Sequence, residues 1–342
     1  MAKIMHHVLR FIFFVFMLKP YHIIRASYAL GDYINPSPLL YSAALSEISG
    51  AQVWLKLENY QPTGSFKIRG ATYKMMTIRE AAHRRGIVTA SAGNHGLGTS
   101  FAAQSLGVES VTIFVPETTP QAKITKLSRF PTNLKLVGQN YDEAHYAAEA
   151  YAEETEAIYL PAYDDLEVIT GAGTVGVEIL TELPTVDTII VPVGGGGLIA
   201  GIGVVIKDLH QEAQLIAVQP TASPSMQLSF KQNLPAEHYE AEETIADGLA
   251  GGFGKFPFYL CRTRVDEILL FNEAQIRHSI FTLIDQEQMV VEGSGAIAIA
   301  PLLDDSNREA LTGKTVVCVL TGGNIDSRLL TEILQENCGI LE

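Results

Sequence analysis

Lys67 stands in the phrase PTGSFKIRG at 62–70, between Phe66 and Ile68 and just after a turn. A lysine flanked by apolar side chains is placed for partial burial, which lowers its pKa and exposes an amine lone pair. That is what Schiff-base chemistry requires, although a lysine at a helix start is ordinarily a solvated surface residue. Further along, Gly194, Gly195, Gly196 and Gly197 follow the run TIIVPV and precede Leu198, Ile199 and Ala200. Glycines at a strand-to-helix junction let the backbone wrap an anion with its N–H groups, and the helix N-terminus adds its positive end. A phosphate is the natural occupant; a tight turn that merely permits close packing is the bland alternative. No Lys-Ser/Thr follows, so this is not a Walker loop, and the GxGxxG spacing of a dinucleotide fold is missing.

Two more segments have the same character. Ser91, Ala92, Gly93, Asn94, His95 and Gly96 follow a short apolar run and open a helical pattern. Small residues there leave several N–H groups free for a carboxylate, and the Asn94 amide can meet a phenolic oxygen. The alternative is an N-cap and turn with His95 a satisfied histidine. Thr321, Gly322, Gly323 and Asn324 follow another apolar run, and a plain strand-to-helix turn would account for them too. At the carboxyl ends of parallel strands, all four segments would converge on one crevice.

The elements that must position them are legible as alternation. Val/Ile-rich runs at 53–57, 87–90, 111–115, 188–193, 215–218 and 315–320 are apolar on both faces, which suits buried parallel strands. Between them, 95–106, 141–155, 174–183 and 198–209 carry alanine and spaced apolar residues as helices do. The βαβα pattern predicts an α/β fold. Residues 221–254 break it with four glycines and two prolines and read as an irregular connection over a site or interface.

Composition removes other classes. With 342 residues, 47% of them hydrophobic and 18% charged, the chain has ample core for two domains and is too apolar to be disordered. A formal charge of -14 repels a phosphate backbone, so nucleic acid is not an expected partner. Cys261, Cys318 and Cys338 show neither C-x-x-C nor His-rich spacing, which argues against a disulfide framework or a zinc knuckle. The apolar run at 11–18 is too short to span a bilayer, and small residues suited to cleavage lie far beyond it, so residues 1–19 read as an N-terminal extension. No run of 18 or more uncharged apolar residues occurs elsewhere, and a cytoplasmic protein without a membrane partner is expected.

The four segments, in this order, resemble the fold type II pyridoxal-phosphate enzymes, the β-family of threonine and serine dehydratases, serine racemase and cysteine synthase. The resemblance covers roughly residues 21–326. SFKIRGA at 65–71 is typical of the dehydratases and racemases, whereas cysteine synthases usually carry Ser-x-Lys-Asp-Arg; ENYQPTG at 58–64, TIADG at 244–248 and EGSGA at 292–296 are also dehydratase-like.

The resemblance implies two open, twisted, mostly parallel α/β domains with pyridoxal 5'-phosphate between them: a large domain of residues 20–80 and 165–342 and a small mobile one of 81–164. It makes Lys67 the Schiff-base lysine and the base at Cα, lays Phe66 against the ring, and gives the phenolic oxygen to Asn94. It assigns the phosphate to Gly194, Gly195, Gly196, Gly197 and Leu198, sets Gly248 beside the ring and Thr321 at the pyridine nitrogen. Ser91, Ala92, Gly93, Asn94 and His95 would hold the substrate carboxylate. The implied reaction is β-elimination of L-threonine or L-serine to a 2-oxo acid and ammonia by a homodimer or homotetramer, with 3-hydroxyaspartate as another candidate substrate. Racemisation is disfavoured, because serine racemases carry a serine where Ala92 stands, and alanine cannot transfer a proton.

Departures from the family pattern are also visible. The racemase's metal carboxylates would fall near Gln219 and Ser225, neither acidic, so no metal is expected. The usual Gly-Gln-Gly-Thr reads Gly171, Ala172, Gly173, Thr174. The C-terminus at Glu342 leaves no expected regulatory domain, and feedback by isoleucine through one is not expected.

Overall fold

The structure, a computed structural model, describes residues 18–338. All but the last two residues of the expected N-terminal extension lie outside the described residues. Ten strands run through the described chain: β1 (Leu39–Ser42), β2 (Gln52–Leu57), β3 (Ile87–Ala90), β4 (Val111–Val115), β5 (Asn133–Leu136), β6 (Ile158–Tyr159), β7 (Thr188–Pro192), β8 (Gln214–Pro220), β9 (Glu267–Phe271) and β10 (Thr315–Leu320). They form a six-stranded sheet in the order β1-β2-β10-β7-β8-β9 and a four-stranded sheet in the order β5-β4-β3-β6. Only the β1–β2 pair is antiparallel.

Side-chain alternation explains why both faces of these sheets are covered. In β10, Val317 and Val319 enter one core layer, while Val316, Cys318 and Leu320 enter the layer on the opposite face. The smaller sheet repeats this, with Ile87, Ile113 and Val115 on one side and Val88, Ala90 and Phe114 on the other. Strands apolar on both faces must be sandwiched by helices, and the crossover connections supply them. The helix Gly197–Leu209 is buried from Gly197 to Ile206 and fills the centre of the first layer. The helix Tyr141–Thr155 starts where the Asn140 side chain accepts from the Glu143 N–H, with Asp142 and Glu143 favouring its positive end. Its Ala144, Ala148 and Ala152, one turn apart, pack beneath the smaller sheet.

The α/β fold and its interior strands agree with the pattern in the sequence. Residues 221–254 are less irregular than expected, since Ser225–Gln232 forms a helix and Asp247–Leu249 a single 3₁₀ turn. Among the described residues, no helix is long and apolar enough to cross a membrane.

A buried ion-pair cluster pins the element that starts at Lys67. The Arg69 guanidinium donates to both Glu58 oxygens, at 2.7 and 2.8 Å, and to Glu178 Oε2 at 2.8 Å and Thr174 Oγ1 at 3.0 Å. Lys56, fully buried, adds an ion pair to Glu178 at 2.8 Å. Planar fork geometry lets Arg69 meet each of two carboxylates with a pair of N–H groups, a bidentate match that a lysine ammonium does not offer. The helix Lys67–Thr77 is thereby fixed against the turn Glu58–Tyr60 that follows β2 and the helix Thr174–Glu182.

Candidate active site

The helix Lys67–Thr77 is fixed at its first residue as well. Ser65 forms an isolated bridge with Gly322, the Phe66 N–H donates to Thr321 O at 3.0 Å, and the Gly323 N–H donates to Gly64 O at 2.9 Å. Residues 64–66 are thus stitched to the end of β10 immediately before Lys67. The helix Asn94–Leu106 packs so closely on this start that a Cβ on Gly98 would meet the Lys67 carbonyl at 3.1 Å.

All four chemistry-bearing segments line one cleft of ≈ 1370 Å³ between the two sheets. Phe66 and Lys67, Ser91 to His95, Gly194 to Leu198, Gly248, Thr321 and Asn324 all contribute to its walls, whereas Gly96, Gly322 and Gly323 of the same segments do not. The Lys67 amine donates to Ala162 O at 3.1 Å and lies 5.2 Å from the centroid of the Phe66 ring. Burial lowers its pKa to about 8, against the opposing pull of the Glu292 carboxylate. A sizeable fraction of this amine is neutral near physiological pH, where an ordinary lysine would be charged.

The four-glycine turn joins β7 to the helix Gly197–Leu209. Gly196 has φ +90°, in the left-handed region, and a Cβ there would run into the Phe253 ring. Gly195 is equally constrained by the Tyr163 ring, and a Cβ on Gly194 would meet Leu249 Cα at 2.8 Å. The turn therefore has to be glycine, and it sits at the N-terminus of a 13-residue helix, where N–H groups lack intrahelical acceptors.

In the segment from Ser91 to His95, Gly93 N–H donates to Ser91 Oγ at 3.2 Å. A Cβ on Gly93 would meet open space, so close packing does not explain that glycine. The His95 ring is buried, with Nε2 3.1 Å from Leu160 O. Burial, together with the Lys67 charge, lowers its pKa to about 3, so the ring is neutral and carries its proton on Nε2. His95 anchors the segment, and its share in holding an anion falls to the backbone. Thr321 donates its hydroxyl to Ser294 O at 3.1 Å, and Ser294 Oγ accepts from the Gly248 N–H at 2.9 Å.

One residue in the centre of the site belongs to the EGSGA motif but has no role legible in the sequence. Glu292 is buried, accepts from Asn94 Nδ2 at 2.6 Å and from the Asn324 N–H at 3.0 Å, and lines the cleft. Its pKa is pushed up to about 7 by burial and then by Asp247, against hydrogen bonds from Asn94 and Asn324 that lower it. The signal in the sequence is an acid in a run of small residues, EGSGA, whose partners Asn94 and Asn324 lie 198 and 32 residues away.

Two departures from the family pattern find their place here. Gly171 and Gly173 permit close helix contacts, since a Cβ on Gly173 would meet the Gly201 backbone at 2.9 Å, and Ala172 only lines the cleft. Gln219, where a racemase carboxylate would stand, donates from Nε2 to Val193 O at 3.2 Å and Ser223 O at 3.3 Å. Among the described residues, no three His, Cys, Asp or Glu side chains are grouped as a metal site would need.

Residues 30–322 match the family model described as pyridoxal-phosphate dependent enzyme. The chain belongs to that family. It is 41% identical to a protein of Thermotoga maritima named L-threonine ammonia-lyase, over 91% of this chain and 77% of the relative. Among solved structures it is similar to the processed form of threonine deaminase isoform 2 from Solanum lycopersicum, with TM-score 0.87, 31% identity and 93% of each chain covered. It is also similar to maize serine racemase, with TM-score 0.86, 26% identity, and 94% of this chain and 98% of the other covered. The fold is thus that of the fold type II pyridoxal-phosphate enzymes, and pyridoxal phosphate is the cofactor. The residues present fit it. An amine of lowered pKa, a turn that only glycine can form at a helix N-terminus, and an asparagine amide answer the aldehyde, phosphate and phenolic oxygen of that molecule.

Proposed function

We propose that this protein is an ammonia-lyase that converts L-threonine, and L-serine as a second substrate, to a 2-oxo acid and ammonia. The observation that supports it best is the buried Lys67 amine sharing one cleft with the glycine turn and Asn94, in a chain whose relatives carry threonine ammonia-lyase names. L-Serine differs from L-threonine by one methyl, and a pocket separates two such substrates by only about 1–3 kcal/mol.

In this reading Lys67 holds the cofactor, Gly194 to Leu198 bind its phosphate, Phe66 and Gly248 flank its ring, Asn94 meets its phenolic oxygen and Thr321 its ring nitrogen. Ser91 to His95 bind the substrate carboxylate. The cofactor supplies a conjugated ring that accepts the electron pair left when a proton leaves Cα. Once displaced by the substrate's amine, Lys67 takes the Cα proton, and its lowered pKa makes the free amine available at neutral pH. The electron pair at Cα forms the Cα=Cβ bond as the Cβ–O bond breaks, and the departing hydroxyl takes up one proton, balancing the one that Lys67 removed from Cα, so that it leaves as water. The Lys67 amine then displaces the enamine, which takes a proton at Cβ to become an imine and is hydrolysed by one water, so the net products are the 2-oxo acid and ammonia.

Residues 20–80 and 165–342 form the large unit of this enzyme and 81–164 a small unit that closes on the substrate. The protein works as a homo-oligomer and in the cytoplasm, the latter in keeping with the buried free thiols of Cys261 and Cys318. Racemase activity is the second reading, favoured by the maize neighbour and opposed by Ala92, which has no proton to move.

Visible absorbance of the purified protein, followed with 2-oxo acid release from L-threonine and L-serine, tests the proposal. A yellow protein that loses both colour and activity on Lys67→Ala is expected. A yellow protein that releases no ammonia overturns the lyase reading.

A further inference from the structure

We infer that Glu292 and Asn324 are positioning residues that lock the Asn94 side-chain amide with one of its N–H bonds committed to the clamp and the other kept for the cleft. This rests on the proposed role of Asn94 at the cofactor's phenolic oxygen. An asparagine amide is nearly symmetric in shape but opposite in polarity at its two ends, so a site that needs a donor must fix which end faces it.

The polarity is set by a chain of contacts. Thr63 O accepts from Asn324 Nδ2 at 2.9 Å, and the Lys126 ammonium donates to Asn324 Oδ1 at 3.2 Å, so Asn324 can face only one way. Asn324 Nδ2 donates to Asn94 Oδ1 at 2.7 Å, and Asn94 Nδ2 donates to Glu292 Oε1 at 2.6 Å. Turning the Asn94 amide over would set two donors against each other at Asn324 and two acceptors at Glu292. An amide nitrogen has two hydrogens, and with one given to Glu292 the second remains for the cleft that Asn94 lines.

Glu292 is itself held. Its N–H donates to Gly322 O at 3.1 Å and its Oε2 accepts from the Asn324 N–H, while a Cβ on Gly322 would overlap its Oε1. The charged and titratable groups around it are Asp247 and Lys123, themselves an ion pair at 2.9 Å, with Lys67 in the cleft and Lys126 acting through Asn324. On the Asn94 segment, His95 is neutral and bonded to Leu160 O. Protonating Glu292 removes its charge from the clamp and, on Oε1, sets an O–H against the Asn94 N–H, which weakens the hold on the Asn94 amide.

The test uses the holoenzyme, wild type and Glu292→Gln, titrated over about pH 5.5 to 9 while the absorbance of the bound cofactor is followed. A spectral step near pH 7 in the wild type and its loss in Glu292→Gln are expected. With L-threonine, kcat should fall by about ten- to a hundredfold with little change in KM, the effect of one charge-assisted hydrogen bond. An unchanged titration and an unchanged kcat in Glu292→Gln overturn the inference. Should Glu292→Gln lose the fold or the cofactor, Asn324→Ala replaces it: an altered cofactor spectrum and a lowered kcat are expected, and wild-type values for both overturn it. Wild-type protein that titrates as described but releases no 2-oxo acid would sink the lyase proposal and leave the clamp standing.

Discussion

At Lys67 two forces oppose each other. Burial removes water from the ammonium, while the Glu292 carboxylate stabilises it, and burial prevails. Capture of pyridoxal phosphate by the apoprotein needs the neutral amine, so its rate should rise with pH through a midpoint near 8, as stopped-flow absorbance would record. A midpoint near the ordinary lysine value would contradict this. His95 shows burial without a compensating carboxylate. Its folded pKa of about 3 lies below the ordinary 6.5, so its burial favours the fold above pH 6.5, and the contribution is lost as pH falls toward 3. Nitrogen chemical shifts at about pH 5 should report a neutral ring protonated on Nε2, and a doubly protonated ring there would contradict the burial argument.

At the scale of elements, the site depends on two tight constructions. The glycine turn tolerates no Cβ at Gly196, where φ is +90° and Phe253 closes the space. Gly196→Ala should weaken cofactor binding by at least about tenfold, measured by titration of the apoprotein, because backbone strain and an overlap act together. The second construction is the Arg69 cluster. Arg69→Ala would strand Glu58 as a buried charge and leave Glu178 to Lys56 alone, and a loss of about 3–5 kcal/mol in unfolding free energy by denaturant titration is expected. The pattern of what the sequence reveals also belongs to this scale. The six strands legible in it, β2, β3, β4, β7, β8 and β10, are all interior, with apolar residues on both faces. The four it hides, β1, β5, β6 and β9, are the outermost strands of the two sheets. An edge strand such as NLKL at β5 is short and half-exposed, so it has no continuous apolar run to detect. The motif EGSGA is visible in the sequence but the role of Glu292 is not: its partners Asn94 and Asn324 lie on other segments, and only the folded chain brings them to it.

At the scale of the whole molecule, the cleft is bridged by contacts from the helix Gln121–Leu127 to the turn at Asp247 and the loop that follows β10. Lys123 pairs with Asp247 at 2.9 Å and Lys126 reaches Asn324 at 3.2 Å. The first pair is exposed, and an exposed ion pair contributes at most about 1 kcal/mol. Lys123→Ala should therefore change KM for L-threonine by no more than about fivefold, and added salt should reduce the difference. A much larger change would mean that this pair touches the substrate. The most direct measurement of the central claim is product analysis after incubating the holoenzyme with L-threonine. Equal amounts of 2-oxobutyrate and ammonia, absent with Lys67→Ala, are expected; conversion to the Cα epimer without ammonia release would contradict the account.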